Sequence, residues 1–391
     1  MTQALATLAV RAGIDTDPTH GAVAPPLYLS ANFTFDGFEG KRRYDYTRSG
    51  NPTRDQLGEA LAALEGGAGG IVTATGMGAV TLVLHTLLEP GDRLLVPHDC
   101  YGGSWRLFNA LAAKGAFELD SCDFTDAAAL ANALKAKPSL VWIETPSNPL
   151  LRIADLAAVI EAAKAVGAVV AADNTFLSPV LQRPIEFGAD IVVHSTTKYI
   201  NGHSDVVGGA AIARDPALLE QLGLWANCLG LTASPFDSYL TLRGLRTLDA
   251  RLRIQQANCS QLAELLEGNP AVAKVHFPGL ASHPGHAIAA RQQDGFGAML
   301  SFELAGGEAA VRAFIDGLDC FTLAESLGGV ESLIAHPATM THAAMGEEAR
   351  ERAGIGPGLL RLSVGIEALD DLTADLDAGL VRASQVQELC R

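Results

Sequence analysis

Short apolar strands alternate with alanine-rich helical stretches through the middle of this chain, and that alternation is the strongest constraint on its fold. Runs typical of buried strands lie at 70–74, 93–96, 140–144, 168–172 and 191–193. Helical spacing fills the gaps, as in 156–166, which Gly167 closes. Because consecutive parallel strands need a crossover connection, the pattern predicts an α/β fold with a mostly parallel sheet, covered on both faces.

The order of the elements divides the chain into three expected parts. Residues 1–52 have no sustained periodicity and are expected to form an extended arm. A helix beginning at the capping residue Thr53 and ending at Gly66 opens a large domain over 53–245. After that the pattern changes to a long helix followed by scattered strands, which predicts a smaller α/β domain with antiparallel pairing over 246–391.

Composition narrows the function classes. The 391 residues are 48% hydrophobic and 18% charged, which indicates a large core, and the net charge of −16 argues against nucleic acid or an anionic membrane as partner. The start of the chain lacks a basic, apolar leader, so a cytoplasmic enzyme is expected. Six scattered cysteines form no C-x-x-C pair, and Cys100 beside His98 and Asp99 does not indicate a metal site, since neighbours on an extended segment point apart.

A single lysine follows the strand predicted at 191–193. This strand leads into hydroxyl residues, then Lys198, then a glycine-containing turn. Such a lysine points toward the crevice where α/β proteins bind ligands. Burial lowers the pKa of an amine, and a neutral amine attacks carbonyls. Lys198 is therefore a candidate for a Schiff base with pyridoxal phosphate (PLP), with Ser195 and Thr197 as donors to an anion; a solvated surface lysine is the alternative.

Two further segments suit the same cofactor. Asp173 follows the strand at 168–172, where a carboxylate can pair with a protonated pyridine nitrogen or serve as an ordinary turn residue. At Gly76–Met77 a strand turns into an apolar helix, whose first N–H groups form an anion site. A dinucleotide fingerprint would need a third glycine near position 81, which is Thr, so an NAD-linked dehydrogenase is disfavoured.

Two tyrosine-containing segments complete the candidate site. Tyr46 and Arg48 in the arm offer a hydroxyl and a guanidinium to a phosphate. Tyr101 follows the strand at 93–96, where its ring can lie over that of a cofactor. Each of these residues, taken alone, is also typical of a surface loop.

Together these segments resemble the Cys/Met-metabolism family of PLP-dependent enzymes over essentially the whole chain. The strings that carry the resemblance lie at 48–54, 97–103, 144–149, 173–176, 195–205 and 324–332. The resemblance implies the aminotransferase-like fold (PLP fold type I), with a seven-stranded sheet in the large domain. It also implies amino-acid substrates and a homo-oligomer, generally a tetramer of two dimers that share active sites.

The resemblance also implies roles at the cofactor. Lys198 would hold PLP, Asp173 would bind the pyridine nitrogen, and Tyr101 would stack on the ring. The other cofactor residues that it implies are Ser195, Thr197 and the Gly76 and Met77 amides at the phosphate, Asn148 near the 3-hydroxyl, and Tyr46 and Arg48 at a neighbouring subunit's phosphate.

For the substrate, the resemblance implies that Arg361 clamps the α-carboxylate, a task for which a bidentate guanidinium is suited. Glu325 and Ser326 match substrate-site positions, and a Glu at the first of these accompanies chemistry on the γ-carbon. Arg106 and Asp45 match positions near the distal carboxylate or amine of the substrate.

The implied activity is γ-replacement, in which an O-acylhomoserine and cysteine give cystathionine. Tyr101, if deprotonated, would accept the proton of the substrate amine, and Lys198 would then move the α- and β-protons. O-Succinylhomoserine is the expected donor, but Ser49 stands where some γ-synthases have a basic residue, which leaves acetyl and phospho donors open.

Rival activities within the family are γ-elimination of cystathionine and direct sulfhydrylation of an acylhomoserine. A β-lyase is disfavoured by Glu325. Outside the enzyme class, a non-catalytic binding protein on the same fold would be expected to lack Lys198 or Asp173, and both are present.

Overall fold

A computed structural model describes residues 3–343 and 346–389 of the chain. Met1, Thr2 and Cys390, which entered the sequence analysis, lie outside the described residues. The chain forms two compact units. Unit 1 comprises the described part of Met1–Pro97, with Leu107–Ile143 and Leu156–Asp249, and unit 2 comprises His98–Arg106, Glu144–Asp155 and the described part of Ala250–Arg391. The division at 1–52, 53–245 and 246–391 stays a prediction.

A seven-stranded sheet is the framework of unit 1. Its strands are β1 (Gly69–Thr73), β2 (Arg93–Pro97), β3 (Glu118–Cys122), β4 (Leu140–Glu144), β5 (Val169–Asp173), β6 (Ile191–His194) and β7 (Gly209–Ala213). Their order across the sheet is β1-β7-β6-β5-β4-β2-β3. β2 runs parallel to β3 and β4, and β5 runs parallel to β6, whereas β7 is antiparallel to β1 and β6. The expected seven-stranded, mostly parallel sheet is confirmed.

The central strands of this sheet form because their side chains are apolar on both faces, as a sheet covered on both sides requires. Leu140, Val141, Trp142 and Ile143 of β4 are completely buried. Trp142 packs edge-on against Phe108, with ring centroids 5.6 Å apart. This packing anchors β4 in the core of unit 1.

Helices precede and connect these strands. They are α1 (Leu5–Arg11), α2 (Pro52–Glu65), α3 (Gly76–Leu87), α4 (Gly102–Ala113, in unit 1 from Leu107), α5 (Ala127–Ala133), α6 (Leu156–Ala165), α7 (Ser178–Leu181), α8 (Pro216–Leu229) and α9 (Pro235–Leu245). α1 corrects the expectation of an extended arm over 1–52. It has only seven residues, too few to show a periodic pattern, and it buries Ala9.

The start of α2 differs by one residue from the sequence prediction. The helix begins at Pro52, and Asn51 rather than Thr53 is its cap, because the Asn51 side chain accepts hydrogen bonds from the N–H groups of Thr53 and Arg54. Pro is favoured at the first helical position, where its missing N–H costs nothing. Gly66 ends the helix with a left-handed φ of 79°.

Unit 2 contains a five-stranded sheet with the order β10-β11-β12-β9-β8. Its strands are β8 (Val272–His276), β9 (Met299–Leu304), β10 (Thr322–Leu323), β11 (Leu333–Ala335) and β12 (Leu359–Ser363), and the helices are α10 (Leu248–Glu267), α11 (His286–Gln292), α12 (Gly307–Ile315), α13 (Glu347–Ala353) and α14 (Leu369–Leu389). Three of the pairings are antiparallel, as expected, and β10 pairs with β11 in parallel. Within the described ranges no helix combines the length and the apolarity needed to cross a bilayer.

We expect Gly209→Ala to destabilise unit 1. A Cβ on Gly209 would overlap the carbonyl oxygen of Thr75 and lie 2.6 Å from its carbonyl carbon and 2.7 Å from Cα of Gly76. Backbone atoms cannot move aside cheaply, so the expected loss is about 2 kcal/mol in the free energy of unfolding, measured with urea. Gly223→Ala in α8 is the matched control, since its Cβ would meet nothing nearer than 3.9 Å. Equal stability of the two variants would contradict the close backbone approach.

Candidate active site

A helix N-terminus and a serine come together after β1 and β6 in unit 1. Thr75 caps α3 by accepting a hydrogen bond from the Gly78 N–H at 2.8 Å. The first N–H groups of the helix, on Gly76 and Met77, have no intrahelical partner. A Cβ on Gly76 would lie 2.8 Å from Cβ and 2.9 Å from Oγ of Ser195. Glycine therefore lets amide and hydroxyl donors approach one point, which suits an anion such as phosphate.

The turn after Ser195 carries two more of the predicted residues. Thr197 Oγ1 donates to the Gly208 carbonyl at 3.2 Å and accepts from the Gly208 N–H at 3.0 Å. The Lys198 N–H donates to the Ser195 carbonyl at 3.2 Å, and the Gly202 N–H donates to the Lys198 carbonyl at 2.8 Å. Thr197 thus fixes the entry to β7, so Ser195 and the α3 amides are the better candidates for binding a phosphate. Lys198 is half-buried at this turn.

Asp173, the last residue of β5, is linked to Ser195 through one threonine. The Thr175 N–H donates to Asp173 Oδ1 at 3.0 Å, and Thr175 Oγ1 accepts from the Ser195 N–H at 2.9 Å. Asp173 is half-buried. Burial is the main cause that raises the pKa of its carboxyl, and the hydrogen bonds from Thr175 and the charge of His194 oppose this rise. A carboxylate in such a place is stabilised by a cationic partner, such as a protonated ring nitrogen.

Tyr46 and Arg48 make contacts within their own chain. The Arg48 guanidinium lies over the Tyr46 ring, 5.6 Å from its centroid. Arg48 Nη1 also donates to the backbone oxygen of Asn227 in α8 at 2.9 Å and to its side-chain oxygen at 2.8 Å. Both Tyr46 and Arg48 are exposed, so binding a phosphate would require Arg48 to exchange these bonds.

Asp45 belongs to a small charged cluster in the same arm. Lys41 Nζ lies 2.8 Å from Asp45 Oδ2, and Ser49 Oγ donates to Asp45 Oδ1 at 2.9 Å. The bonds from Lys41, from Ser49 and from the Tyr46 N–H lower the pKa of Asp45 to about 2. Lys41 and Ser49 therefore both stabilise the carboxylate of Asp45.

In unit 2, Arg361 is held on two sides. It lies in β12 and is buried. Its Nη1 donates to Asn148 Oδ1 at 2.9 Å, and its Nη2 donates to the Ser326 carbonyl at 2.9 Å. Ser326 adopts a left-handed φ of 87°, a strained value for a residue other than glycine. The structure thus brings together three of the predicted residues, and it ties Asn148 to the guanidinium.

Tyr101 lies near charged groups of unit 2, several of which were predicted to bind the substrate. Burial is the main cause that raises the pKa of its phenol, Glu325 and Glu144 add to the shift, and Arg106 and Arg361 oppose it. The direction of this shift keeps the hydroxyl protonated at neutral pH, so this environment favours Tyr101 as a hydrogen-bond donor over the proton acceptor considered from the sequence.

Residues that sequence reasoning did not assign hold Tyr101 in place. Glu144 Oε2 accepts a hydrogen bond from the Tyr101 N–H at 2.8 Å. Two residues earlier, Asp99 Oδ2 accepts from Ser147 Oγ at 2.7 Å and from Arg152 Nη1 at 3.0 Å. Glu144 and Asp99 both stood in strings that carried the resemblance, but their polar types alone did not show that Glu144 binds the backbone of Tyr101 and that Asp99 binds two side chains. Among the described residues no His, Cys, Asp and Glu group of metal-binding geometry occurs.

These residues fit PLP. The α3 amides and Ser195 offer donors to a phosphate, the half-buried carboxyl of Asp173 suits a cationic ring nitrogen, and Lys198 follows Ser195 by three residues. The fit comes from donor chemistry and burial within unit 1.

Comparison with known proteins gives a consistent result. The family model described as "Cys/Met metabolism PLP-dependent enzyme" matches residues 6–381. The cystathionine gamma-synthase of Escherichia coli (strain K12) is 55% identical over 98% of this chain and 100% of its own. A cystathionine beta-lyase of Lactococcus lactis subsp. cremoris is 46% identical over 96% of this chain and 98% of its own.

A solved structure is more similar still. The cystathionine gamma synthase of Xanthomonas oryzae pv. oryzae, in complex with cystathionine, is 70% identical and has a TM-score of 0.98, covering 99% of this chain and 100% of that one. Two of these three relatives are γ-synthases and one is a β-lyase, so identity of 46% alone does not separate the activities.

We expect stability to fall in acid through His342, whose Nε2 lies 3.1 Å from the Asn148 carbonyl. Burial first, and then Arg361, lowers the pKa of His342 from 6.5 to about 4. Between these values the unfolded chain binds a proton that the folded chain does not, so stability decreases as the pH falls. The slope is at most about 1.4 kcal/mol per pH unit for this group.

Urea unfolding at neutral pH and near pH 5 tests this expectation. His342→Gln should flatten the dependence, whereas His203→Gln, which removes an exposed ring, should keep the wild-type slope. An unchanged slope in His342→Gln would rule out the buried neutral imidazole.

Proposed function

Because the chain belongs to the Cys/Met-metabolism family of PLP-dependent enzymes, we propose that it catalyses the cystathionine γ-synthase reaction of methionine biosynthesis. An O-acylhomoserine, with O-succinyl-L-homoserine as the proposed donor, would react with L-cysteine to give cystathionine. The observation that carries this proposal is the end-to-end similarity to γ-synthases, one of which binds cystathionine.

The cofactor residues are proposed as a set in unit 1. When bound, PLP withdraws electrons from the substrate α-carbon and so makes its proton acidic. Lys198 is the proposed attachment point, and its amine is the base that takes the α- and β-protons and returns them. Asp173 accepts a hydrogen bond from the ring nitrogen, and Ser195 with the Gly76 and Met77 amides binds the phosphate. Thr197 supports this set by fixing the turn.

The substrate residues are proposed as a set in unit 2. Arg361 binds the α-carboxylate, and its aim is fixed by Asn148 and by the Ser326 carbonyl. Tyr101, protonated at neutral pH, donates a hydrogen bond and packs its ring on the cofactor. Glu325 is placed among the same charges and is proposed to bind the amine of the γ-linked substrate.

Arg106 and Asp45 are proposed to recognise the distal groups of the two substrates. Arg106 supplies a guanidinium that suits the succinyl carboxylate. Asp45 stays ionised well below neutral pH because Lys41 and Ser49 stabilise it, and we propose that a substrate ammonium group takes the place of Lys41. The guanidinium of Arg106 favours a donor with a distal carboxylate over an acetyl donor.

We propose a homotetramer, built from two dimers, in which Tyr46 and Arg48 reach the phosphate of a neighbouring subunit's cofactor. Apolar side chains in the arm support an interface there, because Val23, Leu29 and Phe38 are 69%, 67% and 96% exposed. We also propose a cytoplasmic location, which is supported by the free thiols of the five described cysteines.

A product assay tests the proposed function. With O-succinylhomoserine and cysteine, the purified protein should form cystathionine, and with cystathionine alone it should release little 2-oxobutanoate. Rapid release of cysteine and 2-oxobutanoate from cystathionine, without synthesis in the first assay, would instead identify a γ-lyase. Pyruvate and homocysteine from cystathionine would identify a β-lyase.

We expect Lys198→Ala to abolish turnover and leave folding largely intact. In the wild type, borohydride should fix the cofactor on the peptide that contains Lys198, and mass spectrometry would detect it. Lys114→Ala, which removes an exposed lysine, is the control and should keep both turnover and labelling. Wild-type turnover in Lys198→Ala would refute the assignment.

A further inference from the structure

A buried carboxylate lies behind the two strand ends that carry Asp173 and Ser195. Glu65, the last residue of α2, is fully buried. Its Oε1 lies 2.6 Å from His194 Nε2 and accepts a hydrogen bond from Asn174 Nδ2 at 2.9 Å. His194 directly precedes Ser195, and Asn174 directly follows Asp173. One oxygen of Glu65 therefore ties the end of β5 to the end of β6.

The contacts of Glu65 and His194 are those of an ion pair. An oxygen that accepts two hydrogen bonds is typical of an ionised carboxylate, and 2.6 Å is as short as charge-assisted bonds are. A fully buried carboxylate needs a positive partner. Asn174 is neutral, so the His194 ring is the neighbour in these contacts that is able to supply that charge.

Two polar atoms of this pair lack the partners that a purely structural tie would have. Glu65 Oε2 and His194 Nδ1 are buried and have no hydrogen-bond partner among the described residues. Leaving such atoms unpaired lowers the stability of the fold. A contribution to stability therefore explains the Glu65 and His194 pair poorly. A nearby group on which its charge acts would explain it better.

Asp173 is the group on which the charge of His194 acts. The two residues end adjacent parallel strands, with Asp173 in register with Val193. Burial raises the pKa of Asp173, the hydrogen bonds from Thr175 oppose this rise, and a positive charge on His194 opposes it further. The pair therefore favours the carboxylate form of Asp173, which is the form that accepts a hydrogen bond from a protonated ring nitrogen.

We propose that Glu65 and His194 are positioning residues for the cofactor ring nitrogen and that they act through Asp173. This inference rests on the proposed PLP site. In this proposal the charges alternate from one neighbouring group to the next: Glu65 is negative, His194 positive, Asp173 negative and the ring nitrogen positive. Glu65 holds the proton on His194, and His194 keeps Asp173 ionised without touching the cofactor.

Two cofactor forms separate this role from a merely structural one. The full chain is stripped of cofactor and reloaded with PLP or with an analogue that has carbon in place of the ring nitrogen, and dissociation constants are read from absorbance. Glu65→Gln keeps the shape and the acceptor but removes the charge. We expect it to bind PLP about tenfold more weakly, the low end for outer partners of a liganding group at metal sites. Its affinity for the analogue should match that of the wild type.

The control and the second measurement use the same network. Gln182→Leu removes an uncharged hydrogen bond to Asn174, at 3.1 Å, and should change both affinities by the same factor. Nitrogen-15 NMR of labelled histidine should find both ring nitrogens of His194 protonated in the wild type and one in Glu65→Gln. Should Glu65→Gln fail to fold, the two-cofactor comparison on His194→Gln decides.

The outcomes distinguish this inference from the PLP site on which it rests. If Asp173→Asn leaves PLP affinity unchanged, the proposed cofactor site itself is overturned. If Asp173→Asn weakens PLP selectively but Glu65→Gln weakens both ligands equally, or neither, then only the role of Glu65 and His194 is overturned. A loss confined to PLP in both variants supports the inference.

Discussion

The candidate cofactor site depends on a close approach of backbone segments in unit 1. Atoms of Ser195 lie where a side chain on Gly76 would begin, and the Thr75 carbonyl occupies the place of one on Gly209. This packing sets the first turn of α3 against the ends of β6 and β7. It concentrates N–H and hydroxyl donors at one point, and the positive end of the helix dipole adds to their attraction for an anion.

Much of the sheet was predictable because its central strands are apolar on both faces. The run at 140–144 matched β4 at both ends, and the predicted 168–172 differs from β5 by one residue. The strands β3 and β7 were not predicted. β3 is largely polar, as an edge strand can be, and β7 is Gly-Ala-Ala-Ile-Ala, whose small residues have low strand propensity. Pairing with neighbouring strands, rather than local sequence, makes both segments extended.

The residue types of the candidate site were predictable from the sequence, but the hydrogen bonds between them were less so. Arg361 and Asn148 were both expected, but their hydrogen bond joins residues 213 positions apart and left no local signal. Glu65 was missed for a related reason. A glutamate before Gly66 at the end of a helix is ordinarily solvated, and only the tertiary structure shows it buried against His194. Motifs thus predict candidate ligand-binding groups, whereas the residues that pack against these groups are found only in the tertiary structure.

The backbone of Ser326 has a consequence for engineering. Its left-handed conformation costs roughly 1 kcal/mol or more for a residue with a Cβ. Glycine would relieve that strain, so a stability screen would tend to select it here. The same relief would loosen the carbonyl that accepts a hydrogen bond from Arg361. The proposed role of Arg361 implies that a gain in thermal stability at this position lowers activity. A screen that measures melting temperature alone would therefore select more stable but slower variants.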